Sequence, residues 1–328
     1  MLALRRRLSP ALVLFFLSPV VGELLSGSSP PAEFFNPVGL LVMLFLYGGG
    51  AVLIREWLQR WGKGWWSLLL LGAAYGIVEE GLMVKSFFDP NWMDLGILGS
   101  YGRWAGVNWV WSLELTLYHM VFSIAIPIVL VRLMFRDQVE RPWVGKRTLR
   151  LLFLLFVADV AFGYLFLTPY RPPLLPYVLT LVAVAVLFTL ARRWPHQRGM
   201  PTGRVVPRPW RFWLTGFLAT LGFFVASWGL PSAGVPVWLT MLLMLAVFVL
   251  PALWVRRASG KGLEWQAKHL CALAAGALSF LILIAPIQES DATRVDDPRG
   301  MTLVGISFAL LLLLLYWRVR RRGETLAW

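Results

Sequence analysis

The chain has 328 residues, 58% of them hydrophobic and 15% charged. Soluble domains run at about 45–50% and about 25%, so a water-soluble enzyme or binding module is excluded. The net charge of +14 would suit nucleic acid in a soluble protein. Here the basic residues sit at the ends of apolar runs, so they read as topology signals and contacts to anionic lipid headgroups, with no nucleic-acid partner.

Ten apolar runs approach the ~20 residues that a bilayer needs. They fall at 8–25, 38–54, 66–87, 107–133, 149–167, 174–191, 212–229, 236–255, 270–287 and 302–317. With the N-terminus inside, every Lys and Arg except Lys85, Arg103, Arg171, Arg294 and Arg299 lies on the cytoplasmic side. That asymmetry is what the positive-inside rule expects of ten spans with both termini cytoplasmic. The expected fold is an all-α polytopic helical bundle of about ten transmembrane helices, in a cytoplasmic membrane of the bacterial type. Residues 1–135 form a four-span polar half and 136–328 a six-span apolar scaffold, in one membrane-embedded unit.

Arg5–Arg7, an apolar run and then Ser26-Gly27-Ser28 have the layout of a signal peptide. The run outlasts the usual ~7–15-residue core and contains Pro19 and Glu23, so it reads as a retained span. In the second span, Tyr47-Gly48-Gly49-Gly50 suggests close helix packing. The third span carries Glu79 and Glu80 side by side, with Lys85 near its end. One ionisable residue at membrane depth costs about 2.5–3.5 kcal/mol on insertion scales, so a pair there calls for a function. The loop at 89–106 is rich in Gly and Trp and reads as an outer-face segment at the interface.

On the fourth span, Asn108, Ser112, Thr116, His119 and Ser123 form one helical stripe. Glu114 lies about 140° from His119 on that helix. By helix rise, Glu80 and Glu114 each sit about 10 Å from the outer end of their spans. Glu79, Glu80, Glu114 and His119 therefore share a layer in the outer half of the membrane. Glu79 and Glu80 are about 100° apart on an α-helix, so only one of them should face the fourth span squarely. Glu23 is expected to join from the outer half of the first span, while Asp159, at the centre of the fifth, should stand apart. His196 and the basic connector 194–211 read as solvated, His269 as interfacial, and Cys271 as a small buried hydrophobe that leaves no disulfide and no cysteine metal site.

A glutamate pair facing a histidine can activate water, relay protons or bind a divalent cation. The candidate catalytic residues are Glu79, Glu80 and His119, supported by Asn108, Ser112, Glu114, Thr116, Lys85 and Glu23. No cofactor or metal is assigned. Glu79-Glu80 followed a span later by Leu115-Thr116-Leu117-Tyr118-His119 resembles the first two motifs of the CAAX-protease and bacteriocin-processing family of glutamic intramembrane proteases. Val84 stands where that family has arginine, with Lys85 next to it, and the third motif is absent, since Leu273 follows four residues after His269. The resemblance implies a glutamic-type intramembrane peptidase in which Glu79 or Glu80 activates water with His119 against a membrane peptide. A proton-coupled transporter of a small molecule, or a non-enzymatic assembly protein, would use the same cluster.

Overall fold

The computed structural model describes residues 8–195, 205–259 and 266–322, so His196 lies outside the described residues. Among the described residues, nine helices are long and apolar enough to cross a membrane, and a shorter apolar helix precedes them. We label them α1 (Pro10–Leu24), α2 (Pro37–Trp61), α3 (Trp65–Met83), α4 (Trp109–Met134), α5 (Lys146–Leu167), α6 (Leu174–Arg193), α7 (Pro209–Ser232), α8 (Val237–Ala258), α9 (Ala267–Glu289) and α10 (Met301–Arg322). Each covers one of the ten apolar runs. Among the described residues the fold is helical apart from a two-stranded ribbon, Arg103–Trp104 with Val107–Asn108, in the loop between α3 and α4, and a single bridge residue, Gln266.

Local sequence explains where the helices start and stop. α4 begins at Asn108, whose side chain accepts the Trp111 amide at 3.0 Å. α2 ends at Gly62, which takes the left-handed conformation (φ 61°) that glycine adopts without strain. The Gly62 amide then reaches Gln59 O and the Lys63 amide Leu58 O, closing the exposed carbonyls of the last turn.

α4 is the hub. Its apolar stretch is 89% buried, whereas that of α6 is 6% buried and those of α5 and α8 are 11% buried. α1, α2 and α3 pack around α4 on one side, and α5 and α6 cover α2 and α3. α7, α8 and α9 cover the other side of α4, with α10 against α9. The outer helices therefore present their apolar faces outward, as lipid-facing helices do. Gly72 and Gly76 let α3 close on α4. A Cβ on Gly72 would stand 3.0 Å from Met120 O, and one on Gly76 would stand 3.1 Å from the His119 Cβ.

α2 runs past its apolar stretch because its last turns carry a buried ionic knot. Glu56 is fully buried and bonds the guanidinium groups of Arg55 and Arg60. Its Oε1 also accepts the Trp143 amide at 2.8 Å. Arg55 donates to Val139 O and Arg141 O, both at 2.8 Å, and lies 3.6 Å from the centre of the Trp143 ring. The knot pins the connector between α4 and α5 onto the end of α2.

Candidate functional site

α1 to α4 each change from α to π winding over one short segment, at Val20–Leu24, Leu44–Gly48, Val78–Met83 and His119–Ala125. π turns are rare and appear mostly as single-turn insertions, often at functional sites. Glu23, Tyr47, Glu79, Glu80 and His119 all lie on these four segments. The four segments meet around one histidine.

His119 is 2% exposed, Glu79 4% and Glu80 9%. His119 Nε2 lies 3.1 Å from Glu80 Oε1, and Nδ1 lies 3.2 Å from Glu79 Oε2 and 2.9 Å from the Ser123 hydroxyl. Both glutamates thus reach the ring, one at each nitrogen. This corrects the expectation that only one could face α4, which assumed α-helical spacing. The π turn at Val78–Met83 holds more residues per turn and narrows the angle between neighbouring side chains. The Ser86 hydroxyl donates to Glu80 Oε2, and the Trp111 indole donates to Ser86 Oγ at 3.0 Å.

Around this centre stand three tyrosines, Tyr47, Tyr75 and Tyr118, with ring centres 5.9, 6.2 and 5.3 Å from that of His119. Tyr47 donates to Glu23 Oε1, and Ser29 donates to Glu23 Oε2 at 2.9 Å. Glu23 therefore joins through Tyr47. Tyr118 donates to Gly22 O at 2.7 Å. Ser18 ties three of the helices together, its hydroxyl lying 2.6 Å from Ser123 O and 3.0 Å from Tyr47 O. Two buried atoms at the centre make no hydrogen bond: the Tyr75 hydroxyl oxygen and Glu79 Oε2. Each of Glu79, Glu80 and His119 also offers one ligand atom within 4.8 Å of the others.

The remaining expected residues divide. Thr116 stands where α3 and α4 touch, its Cα 3.2 Å from a Cβ built on Gly76. Asn108 caps α4 and donates through its side-chain amide to Leu98 O, and Ser112 donates to Asn108 O at 2.6 Å, so both serve the start of the helix. Glu114 turns to α7, where it accepts the Trp228 indole N–H. Lys85 does not pair with a glutamate. Its backbone has φ 65°, which carries the side chain round to α5, where Nζ donates to Tyr164 O at 2.7 Å and Thr168 O at 3.1 Å. On α5, Phe156 before Asp159 meets the Tyr75 ring at 6.3 Å and Gly163 after it abuts Met83, while Asp159 Oδ2 makes no hydrogen bond among the described residues. His269 accepts the Gln266 amide at 3.1 Å and caps α9.

Tyr47, Tyr75 and Trp111 are absent from the sequence-based set. The signal that could have found them is a polar-tipped ring inside an apolar run, since a buried Tyr or Trp normally finds a partner. In the loop between α3 and α4, burial pushes the Asp94 carboxyl above the usual range, and the Glu80 charge pushes it the same way. Leu95 and Leu98 of that loop belong to the same buried apolar cluster as Val21 and Leu25 of α1 and Val110 and Trp111 of α4. Glu114 gives a control: the effects of Glu114→Gln and His119→Ala on thermal stability in detergent should add within about 0.3–0.5 kcal/mol, as for groups that share no partner, and a larger coupling would merge the two sites.

The model of a family described as "Uncharacterized membrane protein family" matches residues 12–325, and the chain belongs to this family. It is also similar to an "Uncharacterized protein" of Archaeoglobus fulgidus, at 28% identity over 125 residues, which span 38% of this chain and 38% of that protein. No solved structure matches the chain.

Proposed function

We propose that this multi-pass member of the membrane protein family is an intramembrane hydrolase of the cytoplasmic membrane that cleaves a peptide bond within a membrane-embedded substrate. The observation that carries the reading is the single buried imidazole with a carboxylate at each ring nitrogen, 3.1 and 3.2 Å away. Structural ion pairs in lipid need one partner. A second carboxylate on the same ring is what acid–base chemistry uses, because one group takes a proton while another gives one. The short likeness to the motifs of CAAX and bacteriocin-processing proteases points the same way.

In this reading Glu80 takes a proton from a water molecule, and the hydroxide adds to the substrate carbonyl carbon. The C–N bond then breaks, and His119 passes a proton to the departing amine. The proton on Glu80 returns to the imidazole, which restores the starting state. Glu79 holds the ring from its other nitrogen, and the unpaired Tyr75 hydroxyl is the donor available to the carbonyl oxygen. The basic residues at the cytoplasmic helix ends contact anionic headgroups and hold the bundle in register with the bilayer.

The test is incubation of the detergent-purified protein with hydrophobic helical peptides in ¹⁸O-labelled water. The expected result is two fragments, the new carboxyl group carrying one ¹⁸O. Intact peptides, together with proton-dependent solute flux in proteoliposomes, would replace the hydrolase with a carrier.

A further inference from the structure

We propose that Glu79, Glu80 and His119 form a binding site for a divalent transition-metal cation. This rests on the hydrolase reading above and changes the roles within it: with an ion held, Glu79, Glu80 and His119 would serve as its ligands, and the ion rather than Glu80 would lower the pKa of the attacking water. Four observations support it. The first is charge. Two adjacent carboxylates buried among apolar helices are neutralised by one dication, and buried charges are otherwise costly unless paired or coordinated to metal. The second is spacing. Ligand atoms around a four-coordinate ion with bonds of about 2.0–2.2 Å lie about 3.3–3.6 Å apart. His119 Nε2 and Glu80 Oε1 are already 3.1 Å apart, and all three residues offer atoms within 4.8 Å of one another.

The third observation is the outer partner of the histidine. A metal-bound imidazole characteristically gives its other N–H to a neighbouring acceptor, which fixes the tautomer. The Ser123 hydroxyl lies 2.9 Å from His119 Nδ1, leaving Nε2 for the ion. Fourth, two polar atoms at the centre lack partners. Glu79 Oε2 makes no hydrogen bond, so this oxygen can leave its position 3.2 Å from Nδ1 and turn to the ion. The Tyr75 hydroxyl is likewise unpaired, on a side chain 4% exposed and beside the His119 ring. Three protein ligands leave a fourth position for water, the arrangement of catalytic rather than structural sites. The mixed oxygen and nitrogen donors suit Zn²⁺ or Mn²⁺ better than Ca²⁺ or Mg²⁺, which favour all-oxygen shells.

The experiment needs no substrate. The purified, tag-free protein in detergent is stripped with chelator, reloaded with Zn²⁺ or Mn²⁺, and assayed by calorimetry and elemental analysis. The expected result is one ion per chain in wild type, lost in Glu79→Gln and in His119→Ala. Ser123→Ala should weaken binding about 10–100-fold, the usual cost of removing a partner behind a ligand. Should the first two variants misfold, Ser123→Ala decides. Pulsed EPR of the Mn²⁺ form should show coupling to a histidine nitrogen. No stoichiometric binding by wild type, or unchanged binding in Ser123→Ala, or no nitrogen coupling, overturns the metal site. A wild type that binds no ion yet cleaves peptide would leave hydrolysis standing without it, and one that binds the ion yet cleaves nothing would do the reverse.

Discussion

If the centre is the proposed hydrolase, His119→Ala should lower peptide cleavage by about 10²–10⁴-fold, the range supplied by one positioned acid–base group. The reason is the number of roles that converge on this ring. It contacts Glu80 at one nitrogen and Glu79 and Ser123 at the other, so its removal leaves two buried carboxylates without their shared partner. Glu80→Gln keeps the shape and loses the proton acceptor, and should fall in the same range. The measurement is single-turnover cleavage in detergent, scored only on protein that elutes as a folded species. Cleavage within a factor of a few of wild type by both variants would remove the mechanism.

Glu56→Ala should be the most damaging change for stability. Removing one partner from a buried ion pair costs about 3–5 kcal/mol, because the remaining charge stays desolvated. Glu56 is the only carboxylate bonded to both Arg55 and Arg60 among the described residues, and it also holds the Trp143 amide. Its loss leaves Arg55, 2% exposed, to backbone carbonyls and the Trp143 ring alone. Arg299→Ala serves as a comparison. Its partner Asp297 is an exposed neighbour in the loop before α10, and exposed pairs contribute about 0–1 kcal/mol. Thermal unfolding in detergent should therefore separate the two variants clearly, and equal midpoints would contradict the account of the knot.

Much of this architecture was legible because lipid imposes simple rules. Apolar length and the placement of Arg and Lys mark all ten helices, and the pairing of α3 with α4 follows from their short connection. The meeting of Glu79 and Glu80 with His119 could be approached from depth and stripe alone. Its details could not. Helical-wheel reasoning assumes one winding, and the π turns in α1 to α4 change the direction of every side chain that matters here. Lys85 was misread for a related reason: a positive φ at a residue other than glycine has no sequence signature, and it sends the ammonium to α5. Glu56 escaped notice because the apolar run ends before it, although the helix does not.

The central claim is that Glu80 and His119 act as one unit in a buried centre. A double-mutant cycle in thermal stability tests it without knowledge of the substrate, using Glu80→Gln, His119→Ala and the double variant in the same detergent. Groups in direct contact show coupling energies of about 0.5–3 kcal/mol, while distant groups add within about 0.3–0.5 kcal/mol. The 3.1 Å contact between Glu80 Oε1 and His119 Nε2 predicts coupling clearly above that additive limit. Additive effects would contradict the shared centre and everything built on it.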